Sequence, residues 1–251
     1  VVGEYVKKDS RFKYYHRPDE HLPGGNGARN YGFKMSQGEY VNWFDSDDLM
    51  VPEKLELKIK AIEENDVDFV VCCGIILDKN DNKIGEWNNI NMEKPLLNHI
   101  YGNISFQTNG PLFKKSLILR TNCFRENLKR KQDWEYFSRI LTYSENFYPL
   151  KKHLFIYKNS IDSINTKNDA MSIYSKVLAN ILVFEQVERN RKDIIDTDFR
   201  HHFLRKFIYN FRVSKKVSQY KALFYSIYGI MLVLDFNLTK RIIKKIIIKL
   251  K

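Results

Sequence analysis

The chain has 251 residues, enough for one sizeable hydrophobic core with a smaller appended module, which excludes a linker or a peptide. Apolar residues make up 43% and aromatics 14%, and no run approaches the roughly 20 apolar residues needed to span a bilayer. An excess of 42 Lys and Arg over 30 Asp and Glu, net +12, favours anionic partners, but the basic residues are scattered without a reader motif, so nucleic acid is not expected among them.

The first 15 residues read as a helix or loop end followed by a short strand, Phe12 to Tyr15. A Gly-rich turn, Pro23-Gly24-Gly25-Asn26-Gly27, leads into a helix from about Ala28 to Gln37, with Gly38 as its C-terminal cap. Glu39 to Phe44, rich in β-branched and aromatic residues, predicts a buried strand. Pro52 opens a helix that carries Leu55, Ile59 and Ile62 at helical spacing to about Asn65. A second buried strand, Asp68 to Leu77, passes through the polar turn Asp78 to Asn82 into a returning segment, Lys83 to Trp87. This alternation indicates an α/β sheet. An irregular stretch from Asn88 to Thr108 precedes a strand at Gly110 to Phe113, helices at Lys115 to Thr121 and Gln132 to Tyr143, and a strand at Leu154 to Tyr157.

Beyond residue 157 the pattern turns helical: Ala170 to Asn190, Asp198 to Val213 and Ser218 to Leu234. Two parts are therefore expected, 1–157 as an α/β domain and 158–251 as a helical module. At its end, Leu238, Ile242, Ile243, Ile246, Ile247 and Leu250 lie opposite Lys240, Arg241, Lys244, Lys245 and Lys249. Such a basic amphipathic helix suits an anionic membrane surface, and equally an ordinary docked helix with a solvated lysine face. Cys72, Cys73 and Cys123 offer neither a disulfide framework nor metal-ligand spacing, so reduced, mostly buried thiols are expected. No basic segment followed by an apolar run and a cleavage site opens the chain, so the expectation is a cytoplasmic protein.

The acidic run Asp45-Ser46-Asp47-Asp48 follows the first buried strand. Three carboxylates in one turn repel each other and call for a cation; oxygen ligands of this kind suit Mg2+ or Mn2+. The run equally suits the N-cap and first turn of the helix around Pro52. Taken alone, Arg29 reads as a surface helix charge and Asn30 as a cap or bridge of the turn. Asp133, taken alone, reads as a carboxylate offsetting the helix dipole, and Trp134 as core or as a flat ring that can stack on a sugar.

Gly27-Ala28-Arg29-Asn30-Tyr31-Gly32, then Gly38-Glu39-Tyr40-Val41, then Phe44-Asp45-Ser46-Asp47-Asp48 with Pro52 beyond closely resembles the signature of inverting family 2 glycosyltransferases of the GT-A fold. Phe124-Arg125-Glu126-Asn127-Leu128 followed by Gln132-Asp133, roughly 85 residues on, resembles the family's later segment, in which a Glu-Asp pair opens a helix; Gln132 is the departure. The resemblance implies a GT-A-like, Rossmann-like mixed sheet flanked by helices. It implies that the aspartates form a DxD motif that binds the nucleotide ribose and a divalent metal, with Asp47 chiefly on metal, Asp45 on metal or ribose, and Asp48 an alternative ligand. Arg29 then lies near the nucleotide, and Asp133 is the base that deprotonates the acceptor hydroxyl.

The implied reaction moves a sugar from a nucleoside diphosphate sugar, with a UDP-sugar the expected donor, to a glycan or polyprenyl-linked acceptor, as in polysaccharide biosynthesis. A catalytically inactive nucleotide- or glycan-binding module is the alternative. A membrane-linked acceptor would place the protein peripherally on the inner face of the cell membrane. The family's domain opens with a strand, a helix and a second strand ahead of the matched segment, and that front is expected to be missing here.

Overall fold

The computed structural model describes residues 2–159 and 170–234. Helix α1 (Val2–Lys8) buries none of its side chains, and Phe12 to Tyr15 form no strand. Phe12, Tyr14 and Tyr15 instead remain exposed along a stretch that pairs with no strand among the described residues. Helix α2 (Gly25–Met35) starts earlier than its apolar pattern suggests and stops at Ser36, whose N–H and hydroxyl both donate to the Phe33 carbonyl, so Gly38 is not its cap.

The sheet contains β1 (Tyr40–Val41), β2 (Leu49–Met50), β3 (Phe69–Leu77), β4 (Lys83–Trp87), β5 (Pro111–Lys114) and β6 (Phe147–Lys158), in the order β1-β5-β3-β6-β2, with β4 also on β3. Among the described residues only β3 and β6 run parallel; every other pair is antiparallel. The sheet is therefore mixed, as expected. Strand β6 is far longer than Leu154 to Tyr157. Its register jumps from Leu150 opposite Cys72 to His153 opposite Cys73, so Lys151 and Lys152 bulge outward, and those two lysines hide the strand's apolar pattern. Gly74 lies beneath Phe155, where any Cβ would stand 2.3 Å from the ring.

Helix α3 (Lys54–Asn65) follows Pro52, and a short helix, α4 (Pro95–Tyr101), occupies part of the stretch expected to be irregular. Helices α5 (Lys115–Thr121) and α6 (Gln132–Tyr143) fall where their patterns place them, as does α7 (Ala170–Asn190). α8 (Thr197–Lys216) and α9 (Tyr220–Val233) complete the described chain.

One apolar cluster runs from Val41 and Trp43 through Phe69, Phe113, Phe137 and Ile140 to Phe184, Phe203 and Val233. It ties one face of the sheet to α6 and to the three last helices. Full burial of side chains such as Phe137 and Ile140 stabilises the fold by about 1.5–3 kcal/mol each. The smaller cluster of Ala61, Ile62, Val67, Val70 and Leu112 seats α3 on the opposite face. All three cysteines are free, with Cys72 and Cys73 buried and Cys123 partly so; burial pushes the Cys123 thiol up to about 11. Among the described residues no helix is long and apolar enough to cross a membrane. The basic segment from Leu238 to Leu250 lies outside the described residues.

Candidate active site

Two stretches distant in sequence are locked together by asparagine side chains. Asn30 of α2 donates to the Phe124 carbonyl at 2.8 Å and accepts from the Phe124 N–H at 3.0 Å, and it also donates to Glu126 at 2.9 Å. Asn26, one turn earlier, donates to the carbonyls of Arg125 and Leu128. Glu126 in turn takes the Leu22 N–H and pairs with His21 at 2.6 Å. Gly27 lets this corner close, because a Cβ there would meet the Leu22 carbonyl oxygen at 2.1 Å. The glycine-rich turn thus serves a close backbone approach. Asn30 acts as a bridge.

An aromatic stack continues the lock inward. Phe124 lies stacked on Tyr136 at 4.1 Å, Trp43 meets both rings edge-on, and the Arg29 guanidinium lies 5.3 Å from the Phe124 centroid. Below it, the buried Glu135 carboxylate accepts from Arg125 at 2.9 Å and from Arg139 at 3.0 Å, while Arg139 also caps the carbonyls of Thr121, Asn122 and Cys123. Helix α6 is therefore anchored by a charged clamp at its first turn.

Three of the residues singled out from the sequence converge above this base. Arg29 donates to Asp45 at 2.5 Å. Asp133, at the start of α6, is influenced by both: burial pushes its carboxyl up, the Arg29 charge and the Thr108 hydroxyl oppose that rise, and the Asp45 charge adds to it. One Asp133 carboxylate oxygen is buried without a hydrogen-bond partner among the described residues. A carboxylate held in this way is more basic than one in water.

The remaining acids separate. Asp48 turns inward, taking the Lys158 N–H at 2.9 Å and the Asn109 side-chain amide at 2.5 Å, and burial raises its carboxyl above the usual range. Asp47 is exposed and makes no hydrogen bond or ion pair among the described residues. The described residues hold no group of three or more His, Cys, Asp or Glu arranged to bind a metal by themselves. Trp134 does not join the Arg29 group: its indole N–H donates to the His99 carbonyl at 3.3 Å, which turns it toward α4.

The loop at Gln107 to Asn109 organises both halves of this arrangement and was not singled out from the sequence. Thr108 serves Asp133. Asn109, fully buried, accepts from the Asp45 N–H at 2.8 Å, and its carbonyl takes the ammonium of Lys54 at 2.7 Å. Lys54 and Lys58 are themselves fully buried; burial pushes them down to about 8 and about 7. An isolated asparagine carries no pattern that marks it in advance.

The mixed sheet flanked by helices has the GT-A fold. The same fold is found in S. aureus TarS residues 1–349 in complex with UDP-GlcNAc, which matches with a TM-score of 0.60 and 15% identity over 84% of this chain and 62% of that one. The model of Glycosyl transferase family 2 matches residues 1–141, and the chain belongs to that family. An uncharacterized glycosyltransferase of Rickettsia bellii is 46% identical over 66 residues, 26% of this chain and 9% of the relative. One from Methanocaldococcus jannaschii is 24% identical over 159 residues, 63% of this chain and 54% of its own. The chain thus spans about half or less of these two curated relatives.

Proposed function

We propose that this protein transfers one sugar from a nucleoside diphosphate sugar, with a UDP-sugar as donor, to a hydroxyl of a glycan or lipid-linked glycan, with inversion at the anomeric carbon. The observation that carries the reading is the convergence of Arg29, Asp45 and Asp133, drawn from α2, the strand end after β1 and the start of α6. In this reading Arg29 and Asp45 bind the nucleotide side of the donor. Asp133 takes the proton from the acceptor hydroxyl as that oxygen attacks, and its burial suits it to the task by raising its basicity. Family membership and the UDP-GlcNAc complex of TarS support the donor class.

The carboxylates fit a divalent cation. Mg2+ is commonly held by one or two carboxylates together with substrate phosphates, and Asp47 offers an exposed, unengaged carboxylate next to Asp45 in the same turn. These two residues would hold Mg2+ or Mn2+, which neutralises the developing charge of the departing diphosphate. The α/β part up to residue 157 is the catalytic domain, and the described helices beyond it, α7, α8 and α9, shape the acceptor side. The lysine-rich end from Leu238 to Lys251 attaches the protein peripherally to the inner face of the membrane.

The test is release of UDP from a panel of UDP-sugars, with and without EDTA, using the protein, Asp47→Ala and Asp133→Asn. Expected are metal-dependent release, its loss in Asp47→Ala, and a fall of about 10²–10⁴-fold in Asp133→Asn with UDP affinity retained. UDP binding with no transfer to any acceptor would mark an inactive binding module. Full turnover in Asp133→Asn would remove that residue from the chemistry.

A further inference from the structure

The first turn of α6 carries a second group of side chains that the reaction above does not use. Trp134 is held from two directions: its indole N–H donates to the His99 carbonyl, and its own carbonyl lies 3.3 Å from His99 Nε2. Two ammonium groups from different helices approach its ring. Lys206 of α8 stands 4.5 Å from the centroid and Lys131, at the N-cap of α6, stands 5.5 Å away, both within cation–π reach.

Neither lysine forms an ion pair with a carboxylate among the described residues. Lys206 donates to the Ile100 carbonyl at 3.4 Å, and the charges that bear on the pair are of its own sign: Lys176 on Lys131, and Lys131 on Lys206. Burial, with that repulsion added, pushes Lys206 down to about 7 and lowers Lys131. His99 beneath them is held down to about 4, mainly by burial, and is neutral. Lys131 also sits in the left-handed region at φ 59°, a backbone state that an L residue adopts at a cost. A single aromatic face would satisfy one cation. Two cations of like sign brought to the same ring, with no acid between them, are complementary to a dianion that enters from solvent.

We propose that Lys131 and Lys206, over the floor formed by Trp134, bind a phosphate or diphosphate group of the acceptor beside the hydroxyl that Asp133 deprotonates. This rests on the reading of Asp133 as the base, since it takes the start of α6 as the acceptor side. The group can belong to a lipid diphosphate glycan or to a phosphodiester polymer; the shared chemistry is the phosphate.

Calorimetric titration of the UDP-saturated protein with inorganic pyrophosphate tests the subsite, because UDP already fills the donor site. Pyrophosphate binding is expected, weakened about tenfold in Lys206→Gln and in Lys131→Gln, kept in Lys206→Arg, and untouched in Lys60→Gln on the exposed face of α3. Equal pyrophosphate affinity in the protein and in Lys206→Gln, with UDP binding intact, overturns the proposal. Failure of the unaltered protein to bind UDP overturns the transferase reading instead. With acceptors, Lys206→Gln is expected to raise KM about tenfold at constant kcat for a short alkyl diphosphate glycan or a glycerol phosphate oligomer, whichever is used. KM for the same glycan without phosphate stays unchanged. The better of the two phosphate acceptors identifies the source, and equal use of the neutral glycan refutes the subsite.

Discussion

Replacing Asn109 by alanine tests whether one buried side chain holds the acidic turn in place. The substitution removes the amide that donates to Asp48 at 2.5 Å and the carbonyl that accepts from the Asp45 N–H at 2.8 Å. The main-chain bonds of residue 109 to Gln107 and Lys54 survive. A hydrogen bond to a buried carboxylate contributes about 1.5–3 kcal/mol and a neutral one about 0.5–1.5 kcal/mol, so the loss is about 3 kcal/mol. For a chain of this size about 2–4 °C of Tm follows each kcal/mol, which predicts a fall of about 6–12 °C. The Asp45 carboxylate loses its fixed backbone, and UDP affinity is expected to drop about tenfold. Thermal unfolding followed by circular dichroism, with a UDP titration below the transition, measures both. A Tm loss under about 2 °C with unchanged UDP affinity would show that the turn holds its shape without Asn109.

Other perturbations separate the roles of neighbouring groups. Glu135→Gln leaves the buried Arg139 guanidinium without its carboxylate and should cost about 3–5 kcal/mol in urea unfolding, whereas Arg125→Gln, on a half-exposed partner, should cost under about 1 kcal/mol. Lys58 titrates near 7 in the folded protein against the ordinary 10.5, so the unfolded chain holds more protons between those values and stability climbs as pH rises through that window. Lys58→Met should raise stability at pH 7 and flatten the slope between pH 7 and 10; an unchanged slope would contradict the assignment. Gly27→Ala should cost about 1–3 kcal/mol through overpacking against Leu22 and weaken UDP binding by shifting Arg29. Gly32→Ala on the same helix meets open space and should gain about 0.5–1 kcal/mol by helix propensity, which makes it the control.

Much of the architecture was legible because its signals are local. Helices α5 and α6 are bounded by residues that break the 3.6 period, and their limits follow from the pattern alone. Strand β6 escaped because its bulge places two lysines inside an apolar run, and α4 because its seven residues, entered through Lys94 in a left-handed conformation, are too few to show a period. Phe12 to Tyr15 had strand composition without a strand to pair with. Composition records what a residue tolerates, and pairing needs a neighbour.

At the site, Arg29, Asp45 and Asp133 were legible through ordered motifs, and the structure brings those three together. Asn109 was not, since its partners Asp45 and Asp48 lie 64 and 61 positions away and a single asparagine gives no periodic signal. The inward turn of Asp48 is of the same kind. Which of three adjacent carboxylates faces solvent depends on Lys158, 110 positions along the chain.

The asparagine bridge from α2 reaches carbonyls and an amide of the main chain at Phe124, Arg125 and Leu128. Every amino acid offers the same carbonyl, so this join is largely indifferent to the side chains it holds. Asn127 is exposed on that turn. It can be exchanged to alter what the surface presents while the depth and orientation of α6 stay where Asn26, Asn30 and the Arg125–Glu135 pair set them. Variation at 127 therefore reshapes that surface without disturbing the carboxylate that follows at 133.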